Sequence, residues 1–228
     1  ASPTVVAASA VAGYVTGPAT ADRPPPTPAF RAFDSVATIT AAAALPGFPA
    51  ELQGRLVWLT ADDLDTDGIY GKDFTYREGM TGQEMAEVVM RNYDPDFAAS
   101  VKPGDVLVGG YNFGTGSSRE QAATALQAAG IGLVIAGSFS QTYLRNAFNN
   151  GFICIECPPL VDRLKQRYAD EQAPTVIPGD RLSVDFARGT VSLGEDVFTF
   201  APLGAVPQAL VVAGGIENQV RARLGVQA

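Results

Sequence analysis

The sequence predicts an α/β fold with a mostly parallel sheet and with antiparallel strands near the C-terminus. The first observation is a β-α-β-α-β succession over residues 104–156, in which short, wholly apolar runs alternate with helical segments. Strands of that kind are covered on both faces and are joined by right-handed crossovers. The second observation is a set of runs over residues 181–200 in which apolar and polar residues alternate. Alternation of period two is typical of antiparallel strands.

Spacing and turn residues place the individual elements. A strand is predicted at residues 54–59, and the acid-rich run ADDLDTDG behind it is predicted to form a turn. Thr81, followed by Glu84, begins a helix that runs to Asn92, because its apolar residues recur at helical spacing. The remaining predicted elements are, in chain order, strand 104–109, helix 117–129, strand 132–136, helix 141–149, strand 152–156, helix 161–168, strands 181–186, 190–193 and 197–200, and helix 217–224.

Three segments are predicted along the chain. Residues 1–18 are small and apolar, and residues 3–12 are predicted to form a short buried helix that stops at Gly13. Residues 19–47 are predicted to form a linker, because three successive prolines favour an extended backbone. Residues 48–228 then form the main domain.

Charge and composition exclude several classes of function. The formal net charge is −8 and the pI is near 4.5, so the chain lacks the basic surface that nucleic-acid binding requires. It has no histidine, which excludes a serine–histidine triad and a histidine-bearing zinc site within it. No lysine or arginine precedes Arg23 and no membrane-spanning run follows, so a secretory signal is not predicted either. We therefore expect no nucleic-acid partner and no membrane partner.

The stretch YNFGTGSSRE, residues 111–120, is the strongest candidate for a binding site. Its two glycines let the backbone turn tightly, and the first N–H groups of the predicted helix attract anions. Arg119 adds a planar fork suited to a carboxylate. A structural alternative stays open, because Ser117 and Glu120 have the spacing of a helix capping box. A nucleotide-binding P-loop is disfavoured, because Arg119 follows the serines where that motif has Gly-Lys-Ser/Thr.

Two other patterns have structural explanations. The four aspartates of ADDLDTDG lack the regular spacing and the closing glutamate of a calcium loop, so a solvated turn is expected. Cys154 and Cys157 have the spacing of a metal knuckle, but positions i and i+3 of a strand face opposite sides. We therefore predict that both cysteines pack in the core and that this chain holds no metal.

Four motifs in the same order resemble the small domain of the aconitase family. They are the acid-rich TADDLDTDGIY, the glycine loop GDVLVGGYNFGTGSSREQAATAL, NAFNNGF before a strand, and AGGIENQVRARL near the C-terminus. The resemblance covers residues 50–225 approximately and implies a three-layer, swivelling β/β/α domain with a mostly parallel sheet. Within the family, residues 59–97 resemble the homoaconitases of the fungal type.

The resemblance also implies roles for particular residues. Ser117 would be the base that removes the proton next to a substrate carboxylate, and Ser118 and Arg119 would bind substrate carboxylate. Asp67 corresponds to the active-site aspartate of the family. A separate loop would select the variable group of the substrate through Phe74, Thr75 and Tyr76.

The implied activity is that of a hydro-lyase that isomerises a 2-hydroxy tricarboxylic acid by dehydration and rehydration. For the homoaconitase branch, the reaction converts homocitrate to homoisocitrate in lysine biosynthesis. A 3-isopropylmalate dehydratase small subunit stays an alternative. So do two functions without catalysis, a phosphate- or nucleotide-binding module and a purely structural or regulatory subunit.

The resemblance implies a cofactor and a partner as well. The family's [4Fe-4S] cluster is held by three cysteines of a larger part, and these are missing here. The expected partner is that cluster-bearing part, either as a separate subunit or as the N-terminal region of the same polypeptide. Residues 1–18 resemble its last helix. The expected location is the cytoplasm, or the mitochondrial matrix if the source is eukaryotic.

Overall fold

The structure, a computed structural model, describes residues 3–16 and 44–225. Most of the predicted linker, residues 19–47, lies outside the described residues. The chain divides into two compact units, residues 1–38 and residues 39–228. Among the described helices, none combines the length and the apolar character that a membrane crossing requires.

The first unit contributes one described helix, α1 (Pro3–Ala12), which ends in a turn at Gly13 with a φ of 74°. The helix has the predicted bounds. Its predicted burial is wrong, because none of its residues is buried. The helix is mostly apolar, and the described part of its unit contains no second helix or strand.

The second unit is built on a sheet whose described strands number eight. The strands are β1 (Glu51–Leu59), β2 (Val106–Gly109), β3 (Leu133–Ala136), β4 (Cys154–Glu156), β5 (Thr175–Val176), β6 (Arg181–Asp185), β7 (Thr190–Leu193) and β8 (Asp196–Thr199). Their order is β4-β3-β2-β1-β6-β7-β8, and β5 pairs with β1. β1 to β4 are parallel, whereas β6, β7 and β8 are antiparallel to their neighbours. The predicted α/β fold is confirmed.

β1 connects the two halves of the sheet. Its first part, Glu51–Arg55, pairs with the antiparallel β6, and residues 56–58 pair with the parallel β2. The change of partner occurs next to Gly54, where a Cβ would lie only 2.2 Å from the Gly104 carbonyl oxygen. Only glycine therefore allows the backbone of β1 to approach the start of β2 this closely.

The helices of the second unit connect and cover the strands. They are α2 (Thr66–Ile69), α3 (Lys72–Thr75), α4 (Gly82–Val88), α5 (Phe97–Ser100), α6 (Gln121–Ala128), α7 (Gln141–Asn149), α8 (Pro158–Arg167), α9 (Ala205–Ala213) and α10 (Ile216–Leu224). The capping box predicted for α4 is present, since Thr81 and Glu84 each accept a hydrogen bond from the other's backbone N–H.

Several elements differ from the sequence-based expectation. α3, α5 and β5 were not predicted, and α4 ends at Val88 and not at Asn92. The acid-rich run is not only a turn, because it contains α2. The helix predicted at residues 117–129 begins later, at Gln121. α9 was not predicted. Pro207 is compatible with this helix, because it lies in the first turn, where the backbone N–H has no partner within the helix.

Two hydrophobic cores lie on opposite faces of the sheet. One contains Phe113, Leu126 and Tyr143 together with many smaller residues, and the other contains Trp58 and Leu160. Cys154 belongs to the first core and Cys157 to the second, so the predicted opposite orientation of the two cysteines is confirmed. Both are free and buried, and burial raises the pKa of each thiol.

An ion pair with a buried carboxylate fixes the loop that enters β2. Arg55 Nε donates to Asp105 Oδ1 at 3.0 Å, and Arg55 Nη2 donates to Asp105 Oδ2 at 2.7 Å. The Asp105 side chain is 4% exposed, and its Oδ2 also accepts the Lys102 N–H at 2.8 Å. The pair therefore joins β1 to the start of β2 next to the close approach at Gly54.

We expect Asp105→Ala to lower the free energy of unfolding by about 2–3 kcal/mol, because it removes the carboxylate that pairs with Arg55 and accepts the Lys102 N–H. Asp196→Ala is the matched control, since Asp196 pairs with Arg163 at 3.0 Å where both side chains are about half exposed. The control should lose less than about 1 kcal/mol. Urea unfolding of both variants measures the difference, and equal losses would contradict a structural role for the Arg55 pair.

Candidate active site

The loops that follow β1 and β2 carry the candidate site. β1 and β2 are parallel neighbours, so their carboxyl ends lie at the same edge of the sheet, where α/β proteins bind ligands. The loops are joined there by backbone hydrogen bonds. Gly114 N–H donates to Leu64 O and Thr66 N–H donates to Thr115 O, each at 2.8 Å. The acid-rich run and the glycine loop thus form one surface.

Every aspartate of the acid-rich run has a hydrogen-bond partner, although Asp62, Asp63 and Asp65 are exposed. The run is therefore solvated, as expected, but it is also held by specific contacts. Three of the four contact the glycine loop, which fastens the two loops together. The partners are Tyr111 N–H and Lys165 for Asp62, the Asn112 amide for Asp63, Gly68 N–H for Asp65, and Arg119 for Asp67.

The glycine loop lies directly on an aromatic cluster. Gly114 has a φ of 74°, and a Cβ there would lie 2.3 Å from the ring of Tyr143. That ring packs edge-on against Phe113 at 5.2 Å and is stacked with Phe139 at 5.9 Å between centroids. The loop is therefore supported from below by rigid side chains.

Asp67 and Arg119 form an ion pair across the two loops. Arg119 Nη1 donates to Asp67 Oδ1 at 2.7 Å and to the Tyr70 carbonyl oxygen at 2.9 Å. The Arg119 side chain is 14% exposed and the Asp67 side chain 38%. The Arg119 hydrogen bond and the Lys72 backbone N–H lower the pKa of Asp67 below its usual value. The aspartate therefore stays ionised and keeps the guanidinium in place.

The guanidinium of Arg119 is held through one of its three nitrogens. Both of its side-chain contacts with the described residues are made by Nη1. Nε and Nη2, which form one edge of the planar group, make no hydrogen bond to the described residues. This edge has the geometry that binds a carboxylate through two parallel hydrogen bonds.

The two serines lie beside this pair. Ser117 O accepts the Thr66 hydroxyl at 3.0 Å and the Arg119 N–H at 2.9 Å, while the Ser117 hydroxyl makes no hydrogen bond to the described residues. Ser118 Oγ accepts the Asn146 amide at 3.4 Å. Both side chains are exposed, so their hydroxyls are open to a ligand.

The alternative interpretation of Ser117 and Glu120 as a capping box is wrong. α6 is preceded by Glu120 at its N-cap, and no side chain caps it. The Glu120 carboxylate accepts the Asn150 amide at 2.8 Å instead. Residues 117–119 lie outside the helix, and the Ser117 carbonyl oxygen accepts the Thr66 hydroxyl, so Arg119 lies in the loop before α6 and not in its first turn.

The three residues expected to select the substrate are placed differently from one another. Phe74 packs on the core beside Tyr70, with 6.2 Å between ring centroids. The Thr75 hydroxyl donates to the Gly71 carbonyl oxygen at 3.2 Å. Tyr76 is 87% exposed. Tyr70 connects this segment to Arg119, whereas the described contacts bring none of the three side chains to the serines.

The described residues do not fit an iron–sulfur cluster. They contain no group of three or more histidine, cysteine, aspartate or glutamate side chains placed to hold a metal ion. The two cysteines lie in different cores with the sheet between them. A cluster requires several thiolates around one point.

Comparison with known proteins assigns the family. Residues 40–160, more than half of the chain, match the aconitase C-terminal domain. The chain belongs to the aconitase C-terminal domain family. It is 46% identical to the mitochondrial homoaconitase of Eremothecium gossypii and 39% identical to that of Candida albicans, over 100% and 98% of this chain. In both cases it spans 36% of the relative, so it corresponds to about a third of their length.

A solved structure has the same fold. It is the 3-isopropylmalate dehydratase of Methanocaldococcus jannaschii, which is 31% identical, with a TM-score of 0.64. The match covers 76% of this chain and 95% of that one. Both the family membership and the swivel-type α/β fold expected from the motifs are thereby confirmed.

Three residues of the site were not identified from the sequence. Thr66 positions the Ser117 carbonyl oxygen, Asn92 contacts Asp67, and Asn146 contacts Ser118. Each lies within a stretch that was assigned to the site or to a helix, but none is ionisable. The available signals were the adjacency of Thr66 to Asp67 and the position of Asn146 as the first residue of the NAFNNGF motif.

We expect Gly114→Ala to destabilise the protein more than Gly116→Ala, by about 2 kcal/mol or more. Both glycines have a positive φ, so both variants suffer similar backbone strain. At Gly114 the new Cβ would also overlap the Tyr143 ring, whereas at Gly116 its nearest neighbour is Thr66 Oγ1 at 3.5 Å. Urea unfolding of the two variants tests this, and equal losses would show that the ring moves aside.

Proposed function

We propose that this chain is the substrate-closing domain of an aconitase-type hydro-lyase and that its substrate is homocitrate. One observation carries the proposal, namely the Asp67–Arg119 pair beside the exposed hydroxyls of Ser117 and Ser118. The identity to mitochondrial homoaconitases over the full chain supports the choice of substrate class.

Arg119 is proposed to bind a substrate carboxylate through its Nε and Nη2 edge. Asp67 holds the opposite nitrogen, so the guanidinium does not have to leave its partner when the substrate arrives. Ser118 adds a hydroxyl that can donate to the same anion. The net charge of −8 repels an anionic substrate, so the positive charge of Arg119 supplies the local attraction.

Ser117 is proposed to act as the base that removes a proton from the carbon next to that carboxylate. A serine alkoxide is unstable in water, so the site must exclude solvent and stabilise the negative charge. Arg119 follows two residues later, and its N–H donates to the Ser117 carbonyl oxygen. This tight turn keeps the cationic side chain and the hydroxyl on the same loop.

The [4Fe-4S] cluster is proposed to belong to the rest of the protein, because the described residues here do not fit one. The curated relatives are almost three times as long as this chain, which leaves room for such a part. That part is the proposed partner, whether it is a separate subunit or the same polypeptide. A location in the mitochondrial matrix is proposed, since the relatives are described as mitochondrial.

The alternative substrate is 3-isopropylmalate, in keeping with the solved relative. The identity is lower in that comparison, 31% against 46%, and we therefore favour homocitrate. Selection between the two acids is assigned to the segment Phe74, Thr75 and Tyr76. Within it, Tyr76 has the side chain that is free to meet a substrate.

The substrate assignment predicts activity on homocitrate. The chain is assembled anaerobically with the cluster-bearing part from its own source, and the unsaturated acid is followed by ultraviolet absorption with homocitrate, 3-isopropylmalate or citrate. We expect the highest kcat/KM with homocitrate. A preference for 3-isopropylmalate would keep the reaction type and overturn the substrate. An intact complex without activity on any hydroxy acid would sink the proposed function.

The role of Ser117 predicts that Ser117→Ala lowers kcat by about 10²- to 10⁴-fold, the usual cost of a lost general base. Stability should change little, because the hydroxyl is exposed and makes no hydrogen bond to the described residues. Ser192→Ala in β7 is the control and should retain full activity. Turnover and thermal unfolding are measured on the same preparations. Near-normal turnover of Ser117→Ala would exclude Ser117 as the base.

A further inference from the structure

Asn92 is neither a proposed substrate-binding residue nor a proposed catalytic residue, yet it makes two hydrogen bonds to Asp67. Its Nδ2 donates to the Asp67 backbone oxygen at 3.0 Å and to Asp67 Oδ2 at 3.3 Å. The other carboxylate oxygen, Oδ1, accepts from Arg119 at 2.7 Å and from the Lys72 N–H at 2.9 Å. The two oxygens are therefore held by different segments, and Asn92 alone among the described residues contacts Oδ2.

The backbone two residues before Asn92 has a strained conformation that turns Asn92 towards Asp67. Met90, which is fully buried, has a φ of 61°. A non-glycine residue in this region costs about 1–2 kcal/mol, so its surroundings must enforce the conformation. The Met90 N–H donates to Ile69 O at 2.7 Å, and its carbonyl oxygen accepts from Tyr93 and Asp94. This turn ends α4 and brings the chain back against α2.

The space beside the Asn92 amide is reserved by a glycine. A Cβ at Gly71 would lie 2.8 Å from Asn92 Nδ2. Gly71 does not have a positive φ, so backbone freedom does not explain its presence. The close approach of the Asn92 amide explains the glycine, because any larger residue would push Asn92 away from Asp67.

We infer that Asn92 is a positioning residue that fixes Asp67 and thereby the orientation of Arg119. Its hydrogen bonds to Asp67 also join the two ends of segment 67–92, which contains Phe74, Thr75 and Tyr76. The segment assigned to substrate selection is thus tied to the residue assigned to carboxylate binding. The Asn92–Asp67 hydrogen bonds are observed in the structure, whereas their effect on catalysis rests on the proposed function.

Asn92→Asp tests the inference, because it replaces the donor with a like charge beside Asp67 Oδ2. Gln83→Glu is the matched control: it adds the same charge to the exposed face of α4 and touches Glu87 but not Asp67. The carboxyl pKa of Asp67 is measured by carbon NMR titration of the 228-residue chain, together with the Arg119 Nε signal. Arg119 is the charged side chain that faces Asp67 among the described residues, and Lys72 contributes its backbone N–H.

We expect Asn92→Asp to raise the pKa of Asp67 by about one pH unit and Gln83→Glu to leave it unchanged. In the unmodified chain the pKa of Asp67 lies below its usual value, so the Arg119 pair persists to low pH. In Asn92→Asp the pair should be lost at a higher pH on acidification. The Arg119 Nε signal should shift over the same pH range. Identical titrations of Asp67 in the two variants would overturn the inference.

Asn92→Ala is the second variant, in case Asn92→Asp does not fold. It removes the donor without adding charge, so a smaller rise in the pKa of Asp67 is expected, and no change would also overturn the inference. In the assembled enzyme, Asn92→Asp should lower kcat/KM about tenfold, with the acidic limb of its pH profile moved upward. An inactive wild-type complex would count against the proposed function and would leave the NMR result standing.

Discussion

The site depends on the pairing of β1 with β2. β1 is shared by both halves of the sheet, and its parallel register with β2, Leu56 opposite Val106, decides how far each loop extends beyond the sheet edge. A slip of one residue would turn Trp58 out of its core and move the acid-rich run away from the glycine loop. The close approach at Gly54 and the Arg55–Asp105 pair both act at the beginning of this register.

The parts of the fold that could be predicted are those whose pattern is decided locally. The wholly apolar runs that became β2 and β3, and the helix Gln141–Asn149, which ends just before Gly151, carry their own boundaries. α2 could not be predicted, because a single helical turn is unfavourable alone. It exists through the Asp65 cap and through backbone bonds to the glycine loop, which is distant in sequence.

The candidate site was predictable in residue type but not in connectivity. The motif resemblance identified Asp67 and Arg119 separately, and the structure adds that they form a pair. The Ser117–Glu120 spacing suggested a helix cap. In the structure, the Thr66 hydroxyl donates to the Ser117 carbonyl oxygen, and the Asn150 amide donates to the Glu120 carboxylate. Neutral hydroxyls and amides, such as those of Thr66 and Asn92, resemble ordinary helix or turn residues until the tertiary contacts are known.

The way in which Arg119 is held has a thermodynamic consequence. An arginine side chain carries about 2 kcal/mol of rotamer entropy, and a flexible arginine loses much of this when it binds an anion. Arg119 is 14% exposed and is fixed through Nη1 by Asp67 and by the Tyr70 carbonyl oxygen, so that loss has already occurred during folding. A carboxylate bound there as proposed would therefore meet a preorganised group, and more of the energy of its two hydrogen bonds would be retained as affinity.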